Sequence, residues 1–247
     1  MPKLPFLPKA LRELLDYISP LAFEVIDWQS IVKASSPLIK QLITGQGVDQ
    51  LAKTNATYLP EMIQYNTGLG GGEKFSTNDL IPTDRTDLGE AILAMYFNQL
   101  KADAIFIDLR LSRFRKIDSD SYTFKPNGMW TPLSSSFRGG VVDMYCGFYH
   151  DDEERYERGL SALGMTPDHM SDEKRAELKK LLQEHFGEGR QQAVPFYIKK
   201  FSKSFHQLFD FFLKNRIRLG GEFLFLGLYL VTLYLALDSL GQEYDVR

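Results

Sequence analysis

The 247-residue chain has one cysteine, Cys146, so it can form neither an internal disulfide nor a cysteine zinc cluster. A lone thiol suits a reducing compartment, and the expected location is cytoplasmic, with association to a membrane left open. Histidine is scarce as well. There are four, His150, His169, His185 and His206; the last three are isolated, and none falls in an H-E-x-x-H spacing. No G-x-S-x-G elbow is present, so the commonest zinc-protease and α/β-hydrolase signatures are both missing. Charge of one sign is lacking too: a net charge of −3 gives no electrostatic reason to expect nucleic acid as a partner. The first residues carry Lys3, Pro2, Pro5 and Pro8 instead of an unbroken apolar stretch, so a secretory leader is not expected. No internal repeat stands out. Neither a cofactor nor a metal site is called for by any of these features.

Long hydrophobic runs are rare, with one exception. Phe223 to Leu237 reads FLFLGLYLVTLYLAL, bracketed by Glu222 and Asp238. A membrane span needs about 20 apolar residues, so this run is short for one and no transmembrane span is expected. A helix apolar on nearly every side belongs at the centre of a core. The hydrophobic content of 44% against 25% charged residues is that of an ordinary globular chain, which removes wholesale disorder.

Helical patterning dominates. Helices are expected over Leu7 to Ile18, Leu21 to Lys33, Pro37 to Thr44 and Val48 to Tyr65, the last kinked or divided by Pro60. Asn66 to Thr86 is rich in Gly, Thr, Asp and Pro and reads as a linker or mobile loop. Asp87 with Glu90 forms a capping-box pattern for a helix ending near Leu100. In Ile105 to Leu111 the apolar residues alternate, which is the signal of a strand with one polar face. Asp118 to Ser121 has turn chemistry, and Tyr122 to Lys125 reads as the returning strand. Helices then follow over Phe137 to Tyr149, from Asp151 to Gly164, and from Ser171 to Gly187. A long helix opens at Pro195, with Phe201, Phe205, Leu208, Phe209 and Phe212 on one stripe, and Gly220-Gly221 separates it from the last helix.

The expected fold is therefore mainly α, a multi-helix bundle with one small central β-hairpin. The organisation reads as a helical segment over 1–65, a Gly-rich linker over 66–86 and a helical core with the hairpin over 87–247, all of which could be one domain.

Several residues invite chemistry. The loop Gly68 to Lys74 is glycine-rich, but no strand precedes it, and Glu73 stands where a Walker loop needs glycine before the lysine. It reads as a flexible linker. Asp108 and Arg110, two apart on a strand, share a face and could hold a metal or an anion, or simply form an ion pair. Trp130 joins them as a specificity candidate. Cys146 and His150 are four apart on a helix, yet two ligands do not make a metal site; a half-buried cysteine and a capping histidine is the reading. Asp151 to Glu154 places acids in the first turn of a helix, where they complement its dipole. Lys199, Lys200 and Lys203 lie opposite the phenylalanine stripe. A basic amphipathic helix beside a very apolar one is what a lipid-binding or membrane-surface protein presents, although an ordinary solvated face has the same pattern.

Three segments together resemble the C-terminal helical lobe of the AarF/UbiB-type atypical kinases, a family tied to ubiquinone and isoprenoid-lipid metabolism. Ala104 to Phe114, AIFIDLRLSRF, is similar to the family's strand that ends in a metal-binding Asp-Phe-Gly. Phe137 to Met165, with Asp151-Asp152 and Leu163-Gly-Met165, resembles its helix pair ending in Leu-Gly-Leu. Glu222 to Val246 is similar to its final helix and tail. The resemblance implies a metal-binding role for Asp108. The chain departs from the family at Leu109-Arg110, which replace Phe-Gly. It also has no Lys-x-Gly-Gln signature and no His-x-Asp catalytic loop, and the residues before Ala104 are too few for an ATP-binding lobe. Phosphoryl transfer needs a phosphate clamp, a metal pair and a positioned base. The resemblance therefore implies a truncated or non-catalytic relative.

Three functions stay open from the sequence. The first is a non-catalytic helical binding or regulatory protein for an apolar or isoprenoid-type small molecule or lipid, at a membrane surface or free of one. The second is a divergent, kinase-like enzyme using Asp108 for a metal. The third is a structural subunit whose apolar surface is covered by a protein partner or a second copy of the chain.

Overall fold

The computed structural model describes residues 9–66, 80–118, 121–187 and 192–246, and the side chains of 10, 28 and 30–35 are not among those described. The loop Gly68 to Lys74 lies outside these residues. The architecture is mainly α, with ten α-helices and seven strands of two or three residues among the described residues.

The final helix, α10 (Glu222–Leu240), sits at the centre. Every residue from Phe223 to Leu233 is buried, as are Ala236, Leu237 and Leu240. Each fully buried leucine or phenylalanine contributes about 1.5–3 kcal/mol, so this helix is a principal organiser of the core. By length and composition it could cross a membrane, but 78% of its apolar window is buried inside the fold. Around it pack α1 (Lys9–Leu15), α5 (Pro82–Gln99) and α9 (Ile198–Lys214). In α9 the predicted stripe holds: Phe201, Leu208, Phe209 and Phe212 are buried and Phe205 is half-buried. Pro195 lies before that helix, in a short strand, and the helix itself opens at Ile198.

The amino-terminal elements differ from expectation in three places. After α2 (Ala22–Val25), α3 (Trp28–Thr44) runs straight through Pro37, which removes one intrahelical donor without ending the helix. The helix beginning at Val48 stops early: α4 (Val48–Asn55) passes through a 3-10 turn into strand β1 (Ile63–Tyr65). And α5 starts five residues before Asp87, with Pro82 in the first turn, where its missing N–H is harmless.

The β component is three small sheets, not one hairpin. Strands β3 (Phe114–Lys116) and β4 (Tyr122–Phe124), which flank Asp118 to Ser121, are antiparallel with Phe114 opposite Phe124, and β1 adds to β4 in parallel. The strand expected to enter the hairpin, β2 (Ala104–Phe106), instead pairs with β5 (Trp130–Pro132), with Phe106 opposite Trp130. The last sheet joins β6 (Val194–Pro195) to β7 (Glu243–Tyr244).

The physical reason for this split lies in the burial of the segment 104–109. All six residues are buried, including the supposedly polar face of Phe106 and Asp108. Inside the core its backbone polar groups need partners, and helices supply them. Asn55 Nδ2 donates to the Ala104 carbonyl at 2.8 Å, and Gln99 Oε1 accepts from the Phe106 N–H at 2.9 Å. Thr232 Oγ1 donates to the Ile107 carbonyl at 2.6 Å and accepts from the Leu109 N–H at 3.2 Å. Asn55, Gln99 and Thr232 are themselves wholly buried. The segment is thus held by side chains from three helices where a wider sheet would have used more strands.

Helices α6 (Ser135–Tyr149) and α7 (Glu153–Ala162) form a tight hairpin. Ser134 caps α6 and also donates to Glu222, tying the start of α6 to the start of α10. Asp152, not Asp151, caps α7 by accepting from the Arg155 N–H; Asp151 takes a positive φ at the turn. Asp143 on α6 bridges to Arg155 and Arg158 on α7. Helix α8 (Asp172–Phe186) is flanked by Ser171 and Gly187, as expected.

Candidate functional site

Asp108 lies just past β2, 1% exposed, at the point where the buried segment turns outward. A carboxylate this deep must be paired, because burying it alone carries a large desolvation penalty. Arg110 grips it from two residues on: Nε is 2.7 Å from Oδ1 and Nη2 is 2.8 Å from Oδ2. Asn127 Nδ2 donates to Oδ2 at 3.0 Å, and Arg113 Nε makes a charge contact with Oδ2 at 3.4 Å that is too poorly aligned for a hydrogen bond. Glu13 of α1 approaches Arg110 at 3.8 Å. The hydrogen bonds to Asp108 raise the Arg110 pKa further above its ordinary value.

This arrangement does not fit a divalent cation. Both carboxylate oxygens are saturated by cationic or amide donors, and a metal would have to displace them. Among the described residues no three His, Cys, Asp or Glu side chains converge to hold a metal. The cluster instead pins α1 and the 108–113 turn to the core.

Trp130 does not join that cluster. Its indole Nε1 donates to the Gln46 carbonyl at 3.0 Å, and its ring lies over Gly47, where a Cβ would come within 2.6 Å of it. Cys146 is half-buried, and His150 closes the end of α6, its ring nitrogen 3.0 Å from the Cys146 carbonyl.

A concave feature lies elsewhere among the described residues. A cavity of about 580 Å³ opens between α5, α6, α8, α9 and α10, bordered by the β6–β7 ribbon. Its floor is Leu93, Leu230 and Leu233; its walls are the rings of Phe97, Tyr145, Tyr149, Phe186, Phe196, Phe201 and Tyr234; Tyr197, Lys200 and Glu243 stand at its rim. Of the three candidate lysines, Lys200 borders this space, while Lys199 and Lys203 are exposed on the same helix.

The rings are mutually fixed. Tyr145 and Tyr149, one helical turn apart on α6, lie parallel at 10° with centroids 6.3 Å apart. Tyr234 contacts Phe201 at 4.5 Å and Phe196 at 5.0 Å. Behind the wall, Tyr96 stacks on Tyr229 at 4.5 Å and shares a 2.9 Å hydrogen bond with Tyr145. Burial pushes the Tyr145 hydroxyl up to about 12 and raises Tyr149 and Tyr234 as well, so all three stay neutral at physiological pH. His185 also borders the cavity. Its Nδ1 is 2.8 Å from Ser204 Oγ, and burial lowers its pKa from 6.5 to about 4, so it too is neutral.

Sequence reasoning did not single out these tyrosines. The only local signal was the i, i+4 spacing of Tyr145 and Tyr149; their meeting with Tyr234 depends on how α6 and α10 pack. The partners of Asp108 were equally invisible, since Glu13, Arg113 and Asn127 come from three separate segments. No protein-family model matches the chain, and no curated protein matches it significantly.

Proposed function

We propose that this chain is a non-catalytic helical binding protein that holds an apolar small molecule in the cavity between α5, α6, α8, α9 and α10. The observation that carries this reading is the cavity itself, about 580 Å³ and walled by fixed aromatic rings. Ligand pockets run from about 300 to 1,000 Å³, a range that includes this space, in which aromatic rings and leucines stand beside the polar groups of the tyrosines, Lys200 and Glu243. Exposed Tyr197 with Lys199, Lys200 and Lys203 at one edge supports placing that mouth against a membrane surface. The kinase-like alternative would need Asp108 free to take a metal, and its oxygens are held by Arg110, Arg113 and Asn127.

Native mass spectrometry of the protein purified gently from its own host tests the reading. A non-covalent adduct of small-molecule mass is expected, and Ala193→Trp, which fills space at the cavity border, is expected to lose it while keeping the wild-type circular dichroism. A bare mass for the wild type, or an adduct that survives the tryptophan, would overturn it.

A further inference from the structure

We propose that the cavity selects a flat aromatic molecule carrying a hydrogen-bond-accepting oxygen, a carbonyl or a carboxylate, and that the hydroxyls of Tyr149 and Tyr234 are the donors that select it. This rests on the ligand-binding reading above and deepens it. Among the tyrosines at this site, Tyr96, Tyr145 and Tyr229 satisfy one another and nearby backbone. Tyr149 and Tyr234 do not: neither hydroxyl has a hydrogen-bond partner among the described residues, and both residues line the cavity. They differ from Tyr65 and Tyr156, whose unpartnered oxygens are sealed inside the protein. The Tyr149 and Tyr234 oxygens open instead onto the cavity, where water or a ligand supplies the partner that the great majority of polar groups find.

The two donors come from different helices, α6 and α10, and both line the same cavity. Each hydroxyl has one O–H to donate, and an acceptor oxygen on the ligand is the group that takes it. The walls specify the rest of the molecule. Parallel Tyr145 and Tyr149 on one side and Phe196, Phe201 and Tyr234 on the other present ring faces and edges, which favour a planar aromatic body over a flexible chain. The rim carries Lys200 and Glu243, of opposite sign, and so does not choose between a neutral carbonyl and a carboxylate.

Isothermal titration calorimetry on the full chain with four probes separates these elements. 2-Acetylnaphthalene and 2-naphthoate carry the two acceptors, 2-methylnaphthalene has the same body without one, and palmitate has an acceptor without a ring. At least one acceptor-bearing naphthalene is expected to bind about tenfold more tightly than 2-methylnaphthalene, as two neutral hydrogen bonds allow. In the Tyr149→Phe/Tyr234→Phe double variant that preference should vanish while 2-methylnaphthalene binds as before. Equal binding of all three naphthalenes, or a preference that survives the double variant, would overturn the donor assignment and leave the cavity reading standing. Tighter binding of palmitate than of any naphthalene would overturn the aromatic selectivity. Failure of all four probes would count against both readings.

Discussion

Of the four histidines, His185 alone is buried, and it connects packing to pH. Its ring touches Phe186, Phe201 and Phe205, and among the described residues its one hydrogen-bond partner is Ser204, whose hydroxyl also donates to the Phe201 carbonyl at 3.0 Å. With that proton committed, Ser204 is left to accept, so Nδ1 carries the hydrogen. Burial lowers the folded pKa from 6.5 to about 4. Between those values the unfolded chain binds a proton that the folded chain refuses, so stability rises with pH across that window and falls as pH drops from 6.5 toward 4. By pH 4.5 the loss from this one group is on the order of 2 kcal/mol, given 1.36 kcal/mol per pKa unit. Urea midpoints at pH 8, 6 and 4.5 would show it as a gap between wild type and His185→Phe that closes in acid. A gap independent of pH would mean that His185 titrates normally and is not enclosed as described. In the sequence this residue looked no different from His169, because nothing local announces that α8 and α9 will close over it.

At the scale of elements, the α6–α7 hairpin turns on close backbone approach. A Cβ on Gly159 would lie 2.4 Å from the Met144 backbone nitrogen, and one on Gly147 would lie 2.3 Å from that of Tyr156. Gly139, on the same α6, has nothing within 4 Å. Helix propensity alone says that Gly→Ala stabilises a helix by about 0.8–1 kcal/mol, and at Gly139 it should. At Gly159 the helices must separate, and the expected result is a net loss of about 1–3 kcal/mol, the range for overpacking. Opposite signs for Gly139→Ala and Gly159→Ala in chemical denaturation would confirm the packing, and equal signs would refute it. Elements were legible in the sequence wherever local chemistry decides them: Ser171 and Gly187 around α8, the stripe on α9, the all-apolar α10. They were misread wherever tertiary partners decide. Ile63 to Tyr65 looked like the end of a helix and became a strand because β4 lies beside it. Ile105 to Leu111 looked like half of a hairpin. Its backbone is instead satisfied by Asn55, Gln99 and Thr232, residues 49 to 123 positions away in sequence from their nearest partners there, apart from Gln99 at seven.

At the scale of the whole molecule, the burial of α10 decides how the protein could meet a membrane. A helix apolar enough to span is already enclosed by α1, α5 and α9, so inserting it would mean dismantling the core. Contact through the described fold would therefore be made by surface that it leaves outside. The net charge of −3 would oppose an anionic bilayer, but charge is unevenly placed. Lys199, Lys200 and Lys203 are exposed near the start of α9, immediately after Tyr197, which is 55% exposed. A tyrosine ring suits the headgroup layer, and a cation near an anionic leaflet contributes about 1 kcal/mol. Since Lys200 and Tyr197 also border the cavity, this orientation would turn its mouth toward the lipid, from which an apolar ligand could enter without crossing water. Co-sedimentation with vesicles containing phosphatidylserine is expected to retain the protein, and vesicles of phosphatidylcholine alone should retain much less. Replacing Lys199, Lys200 and Lys203 together by glutamine should weaken the anionic partition about a hundredfold, three such contributions combined. Equal binding to both vesicle types, or a triple variant that binds like wild type, would remove the membrane from the account and leave the cavity to fill from solution.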